Sequence, residues 1–276
     1  MAKPNENEPP PDPTALKTVT YGSYLRIDEL LALQRPRSTG PEHDELLFII
    51  IHQVYELWFK EVLHELDYAR RLLEEGESYR VQHTFKRILT ILKVLVAQLD
   101  ILETMTPLEF LSFRERLEAA SGFQSDQFRQ LEFTLGMKSP GVVQRFPPDS
   151  RGRAALEQRY REATLWDEFL RYLDREGYAV PAEVLTRDVT TPIQPSDALQ
   201  QMLMDVYRRD PKNAELCERL VDLDEGMQEW RYRHVKMVER TIGTKPGSGG
   251  SEGAQYLRGT LARPLFPDLW AIRGRL

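Results

Sequence analysis

Apolar side chains in this chain recur every three or four residues, and no stretch shows the sustained alternation of a β-strand. Over 42–74, Phe48, His52, Tyr55, Phe59, Val62 and Leu66 keep the helical period. Over 79–103, Val81, Phe85, Ile88, Leu92, Leu95, Leu99 and Leu102 do the same. The pattern predicts further long helices over 151–176, 196–209 and 212–242, and short ones over 27–33, 107–118 and from Ser121 to Gly136. Thr106-Pro-Leu-Glu109 supplies the cap, first-turn proline and returning glutamate of a helix start. Prolines and glycine make 138–148 a loop, and an irregular connection spans 180–195. The C-terminal stretch 256–276 holds Leu265, Phe266, Leu269 and Trp270 between prolines and reads as a docked terminal piece. No repeat and no sharp boundary divides the chain, so the expected fold is all-α, a bundle of long helices in one domain over 17–276.

Composition narrows this reading. Of 276 residues, 41% are hydrophobic and 29% charged, the balance of a globular protein. The net charge of −6 gives no sign of a nucleic-acid partner. A single cysteine, Cys217, excludes an intrachain disulfide framework and suits a reducing compartment. The start of the chain lacks the basic and apolar regions of a signal peptide, and the apolar run 46–51 is too short for a bilayer. A cytoplasmic protein without membrane contact is expected. Residues 1–16 are polar and proline-rich, a disordered or extended arm. Tyr21 and Tyr24 follow it, aromatics that pack on their own domain or on a neighbouring subunit.

Two of the five histidines point inward. His234 sits in the stripe Met227, Trp230, His234, Val238, Ile242, while Arg231 and Arg233 lie mostly off it. His52 sits on the aromatic face of the 42–74 helix. A buried imidazole needs a partner: a carbonyl, a water or a metal. His64 and His83 fall off their stripes, and His43 lies in a first turn. Phe110, Arg114 and Leu117 share a helix face, and an arginine so placed pairs more often with an internal carboxylate than with a ligand. The run Gly247-Ser-Gly-Gly-Ser-Glu-Gly253 allows close backbone approach, yet it lacks the Gly-Lys-Ser/Thr of a phosphate loop and follows a helix, not a strand. Zinc is not suggested, because no second ligand shares the His234 face at the right spacing. A haem asks less: one neutral axial histidine, an apolar slot and a polar group on the far side.

Several ordered motifs carry a family resemblance. Tyr21-Gly-Ser-Tyr-Leu25, Phe48-Ile-Ile-Ile-His-Gln-Val-Tyr-Glu-Leu-Trp-Phe-Lys60, Phe110-Leu-Ser-Phe-Arg114, Ala120-Ser-Gly-Phe-Gln-Ser125 and Trp230-Arg-Tyr-Arg-His-Val235, through to Gly-Ser-Gly-Gly-Ser251, resemble the tryptophan 2,3-dioxygenases, from about Tyr21 to the C-terminus. The resemblance implies a helical homotetramer with non-covalent haem b, L-tryptophan and O2 as substrates, and N-formyl-L-kynurenine as product. It implies His234 as axial ligand of the haem iron and His52 as the distal catalytic histidine near the indole N–H. Arg114 would grip the substrate carboxylate, with Phe48, Phe110 and Leu117 as walls around the indole. Tyr21, Tyr24 and Leu25 match the segment, within 17–35, that a neighbouring subunit lends to the pocket. Ser248 stands where many members carry threonine; its hydroxyl keeps the hydrogen bond near the substrate ammonium and carboxylate, while the missing methyl alters the fit. A haem monooxygenase acting on a tryptophan analogue and a non-catalytic haem sensor are the rival readings.

Overall fold

The computed structural model describes residues 18–245, 247, 257–261 and 263–276. Among them the regular structure is entirely helical. Helices α1 (Tyr21–Leu25) and α2 (Ile27–Leu31) precede a bundle built on α3 (Glu45–Glu75), α4 (Ser78–Leu102) and α12 (Pro211–Ile242). Between α4 and α12 come α5 (Pro107–Arg114), α6 (Asp126–Thr134), α7 (Pro140–Val143), α8 (Arg151–Arg161), α9 (Leu165–Arg175), α10 (Ala182–Leu185) and α11 (Asp197–Arg209). A final short helix, α13, spans Pro267–Ala271.

The long helices follow from their stripes. Leu66, Leu72, Val81, Ile88, Leu95 and Leu99 are at most 1% exposed and zip α3 to α4. The reversal between them depends on Gly76, whose φ of 77° terminates α3 in the left-handed region where a side chain is disfavoured. Helix α12 lies against α4, and Gly226 permits the approach: a Cβ there would meet Leu92 Cδ1 at 3.2 Å. Helix α9 covers α3, α6 bridges α3 and α8, and α11 covers α12.

The C-terminal piece docks as expected. Asp224 on α12 is fully buried; its Oδ2 accepts from the backbone N–H of Leu265 at 2.8 Å and Phe266 at 3.1 Å, and from Trp270 Nε1 at 2.8 Å. Leu265, Phe266 and Leu269 join the main core, while Trp270 stays partly exposed.

Other boundaries differ from the sequence expectation. The helix expected over 151–176 is two helices, broken at 162–164. The buried Lys138 ammonium takes the carbonyls of Arg159 (2.9 Å), Tyr160 (3.0 Å) and Glu162, which satisfies the end of α8, and Thr164 restarts the chain through a capping box with Asp167. The loop expected over 138–148 contains the short α7. Segment 27–33 is shorter than expected and follows a separate helix, the break lying at Arg26 (φ 52°). The 107–118 helix is α-helical only to Arg114 and ends in a tighter turn, Glu115–Leu117; likewise one tight turn, Gly122–Gln124, precedes α6. His43 lies in the turn ahead of α3, and His43, His64 and His83 are exposed. No described helix is long and apolar enough to cross a membrane.

Candidate active site

A cavity of about 240 Å³ opens between α3, α5, α6 and α12. His52, Phe48, Phe110, Arg114 and His234 all line it, so five positions singled out in the sequence converge although they come from three helices far apart in the chain.

His52 is set by its own helix. Its Nδ1 lies 2.7 Å from the Phe48 carbonyl oxygen one turn earlier. A carbonyl only accepts, so Nδ1 carries the proton and the neutral ring presents Nε2 as an acceptor. Burial lowers the His52 pKa below the ordinary histidine value, partly offset by the Phe48 carbonyl and by Glu56. The Phe48 ring covers the imidazole at a centroid distance of 4.0 Å and is backed by Phe110 (5.8 Å) and Phe113 (5.5 Å). An apolar wall therefore adjoins one hydrogen-bond acceptor.

His234 projects from α12 into the same cavity. Trp230, four residues earlier, stacks on it at 5.0 Å with planes 5° apart, and Phe128, Tyr55 and Phe59 fix the indole in turn. Its pKa is pushed down to about 4, first by burial, then by the nearby His52 and Arg129. The ring is neutral at physiological pH, and its nitrogens take no hydrogen bond from a described residue. His234 and His52 line the same cavity.

These residues fit a haem. A neutral imidazole with a free lone pair, held by stacking beside aromatic and aliphatic walls, is the donor an iron porphyrin requires from its protein. A bare ion is less well served: no group of three or more His, Cys, Asp or Glu side chains able to hold a metal occurs among the described residues.

The remaining expected positions are placed less directly. Leu117 packs against the core from the turn after α5 and is not among the cavity-lining residues. Tyr21 and Tyr24 are 78% and 76% exposed and Leu25 is 42% exposed, on α1 and away from this chain's own cavity. Ser248 lies outside the described residues; Gly247, next to it, lines the cavity.

Sequence reasoning missed Glu56, Arg129, Glu132 and Arg231, all of which line the cavity. Arg231, expected mostly off the stripe, is 3% exposed. Its spacing from Met227 (four) and His234 (three) puts it on the inner face, beside the stripe traced through Trp230. Arg129 and Glu132, three apart on α6, are an opposite-charge pair that reads like an exposed helix pair until their burial is seen.

Comparison with known proteins agrees with this geometry. The sequence profile of the family described as "Tryptophan 2,3-dioxygenase" matches residues 12–165 and 193–276. A tryptophan 2,3-dioxygenase of Herpetosiphon aurantiacus is 61% identical over 94% of this chain and 99% of its own length. One from Anaeromyxobacter sp. (strain K) is 58% identical over 96% and 99%, and one from Kineococcus radiotolerans is 45% identical over 93% and 91%. With the profile and these relatives spanning nearly the whole of it, the chain belongs to the tryptophan 2,3-dioxygenase family.

Proposed function

We propose that this enzyme uses haem b to open the indole C2–C3 bond of L-tryptophan with O2, giving N-formyl-L-kynurenine with both oxygen atoms retained, the first step of tryptophan breakdown along the kynurenine route. The observation that carries the reading is the convergence of two neutral histidines, His52 and His234, on one aromatic cavity that Arg114 also lines. When bound, the haem supplies the iron at which O2 is activated, and His234 is the residue that would hold it.

The protein's contribution is placement. His52 Nε2 accepts from the indole N–H, because its other nitrogen is committed to the Phe48 carbonyl. Phe48, Phe110 and Leu117 wall the indole ring, Phe48 and Phe110 lying 5.8 Å apart between centroids. Arg114, a planar fork at the end of α5, takes the substrate carboxylate. Ser248 completes the amino-acid end with its hydroxyl. A cavity walled by aromatic groups excludes water from the reacting ring and holds it in one orientation. The tautomer of His52 equips it as a hydrogen-bond acceptor.

The exposed Tyr21, Tyr24 and Leu25 support a homotetramer in which residues 17–35 reach into a neighbour's cavity, the rest of 17–276 forming a single domain; the expected arm, 1–16, lies outside the described residues. Exposed Ile50 and Leu57 on α3 and Val94 and Ile101 on α4 give further apolar surface for such an assembly. A cytoplasmic location is supported by Cys217, free and buried, whose thiol pKa is raised by burial.

The test is mass spectrometry of the product formed from L-tryptophan and 18O-labelled O2 by the reduced, haem-loaded protein. Two labelled atoms in a ring-opened product support the dioxygenase. One labelled atom in an unopened oxindole would instead establish the monooxygenase, and absence of any product would favour a sensor.

A further inference from the structure

The two cavity histidines are held in different ways. The His52 ring cannot turn without breaking the contact between its Nδ1 and the Phe48 carbonyl. The His234 ring is met instead by a flat face. The Trp230 indole, one turn earlier on α12, lies against it at a centroid distance of 5.0 Å with planes 5° apart. The torsion that turns an imidazole about its own axis is broad, with no sharp staggered well to hold it. Turning His234 out of the common plane gives up the stack, so the neighbouring face supplies the restraint that the torsion lacks.

The indole is itself fixed from several sides. Phe128 of α6 lies across it at 4.9 Å, and Phe59 and Tyr55 of α3 meet it edge-on at 6.3 and 6.4 Å, with planes 83° and 65° apart. Tyr55 is anchored in turn, its hydroxyl donating to the Leu95 carbonyl of α4 at 2.6 Å. Trp230 Nε1 is buried beside the Tyr55 hydroxyl without reaching hydrogen-bond geometry, so the indole is placed by its faces and edges alone. A buried unpaired N–H is a cost that a phenylalanine would not carry; the wider flat face is what tryptophan adds. Three helices thus decide the plane of a side chain on a fourth. Tyr55 stands three residues after His52, so the helix that carries one cavity histidine also orients the other.

We propose that Trp230 is a positioning residue for the axial ligand: its indole holds the His234 imidazole in one plane before haem enters, so that the iron meets a single ring orientation, registered through Tyr55 to the helix of His52. The inference rests on the haem reading. A ligand ring already held in its bound orientation binds without first losing rotational freedom, and groups behind a metal ligand commonly set its direction in this way. Were Trp230 core filling only, any apolar side chain of comparable bulk would serve. The parallel stack makes flatness the property that counts.

The experiment compares the full-length wild type with Trp230→Leu, Trp230→Phe and a control, Trp166→Leu. Trp166 is 1% exposed, packs on Phe169 and Phe266, and is not among the cavity-lining residues, so its loss disturbs the core without touching His234. Leucine and phenylalanine both shorten position 230, and only phenylalanine keeps a flat ring. Each apoprotein is titrated with iron protoporphyrin IX, then reduced, and the iron–histidine stretching band is read by resonance Raman. Wild type, Trp230→Phe and Trp166→Leu should give one narrow band. Trp230→Leu should give a broadened or split band and bind haem about twofold to tenfold more weakly. Thermal unfolding checks each fold, and Trp230→Met stands in if the leucine variant does not fold. A wild-type band in the folded leucine variant overturns the proposal. So does equal broadening in Trp230→Phe or Trp166→Leu, which would mark lost packing and not lost orientation. Failure of wild type to bind haem, or bound haem without an iron–histidine band, would remove the haem reading itself, an outcome distinct from an unaltered band.

Discussion

The orientation of His52 makes a quantitative demand on the substrate. Because Nδ1 is committed to the Phe48 carbonyl at 2.7 Å, Nε2 can only accept, and an indole N–H can only donate. Methylating the indole nitrogen removes that donor, leaves Nε2 unpaired in an apolar cavity, and inserts a methyl group beside a ring already covered by Phe48 at 4.0 Å. Leaving a buried acceptor unpaired costs about 1–3 kcal/mol, and overpacking adds about 1 kcal/mol or more. Wild type should therefore bind L-tryptophan about 30-fold to 1,000-fold more tightly than 1-methyl-L-tryptophan. In His52→Ala the acceptor is gone and the methyl has room, so the ratio should collapse to within about threefold. The assay is titration of the haem-loaded protein with each ligand, read by absorption, over a range of pH. Burial lowers the His52 pKa, with the Phe48 carbonyl and Glu56 opposing it in part, so tryptophan affinity should stay flat as pH falls through 6.5. It should weaken only below, where a proton on Nε2 abolishes the acceptor. A preserved preference in His52→Ala, or a wild-type inflection at or above pH 6.5, would refute the tautomer and its role.

Further outcomes follow from other contacts. His234→Ala should lose haem or its normal absorption spectrum, and an unchanged spectrum would exclude it as the ligand. Arg114→Ala should weaken L-tryptophan binding by about 2–5 kcal/mol and tryptamine, which lacks the carboxylate, far less; equal losses would mark a structural arginine. Asp224→Ala strips the acceptor from three buried donors and should destabilise the fold by about 3–5 kcal/mol, with amide exchange at 265–272 rising first, as read by denaturant unfolding and hydrogen exchange. Removing residues 1–25 should impair turnover while haem binding survives; full turnover would show that Tyr21, Tyr24 and Leu25 are dispensable.

The fold was legible because its helices are long and one-sided. Val81, Phe85, Ile88, Leu92, Leu95 and Leu99 state the buried face of α4 so often that no tertiary context is needed to find it. Legibility failed where a single distant group decides the outcome. Within residues 151–176 only Thr164 and Asp167 mark the break, and part of the reason that α8 stops at Arg161 lies outside the stretch, in Lys138, whose ammonium gathers the last carbonyls of α8. Periodicity registers many weak votes along one element, and it cannot register one strong contact from another.

The site shows the same division from the side of chemistry. His52 and His234 were visible because an imidazole interrupts an apolar stripe, and the family motifs then tied them to Arg114, which the cavity brings beside them. Arg231 was misplaced because the stripe was traced through Trp230, its neighbour, and arginine on a long helix ordinarily marks the solvent face. Its burial is informative for that reason. A helix with an apolar face as wide as that of α12 has no folding need for a guanidinium beside Met227 and Trp230, where a leucine would pack without loss of hydration. Of the two carboxylates that act on it, Glu132 is shared with Arg129, and Asp224 already accepts from Leu265, Phe266, Trp270 and Gln228. A haem that binds the folded chain and not the unfolded one adds its binding free energy to the stability of the core, so the loaded protein should resist thermal unfolding more than the apoprotein does.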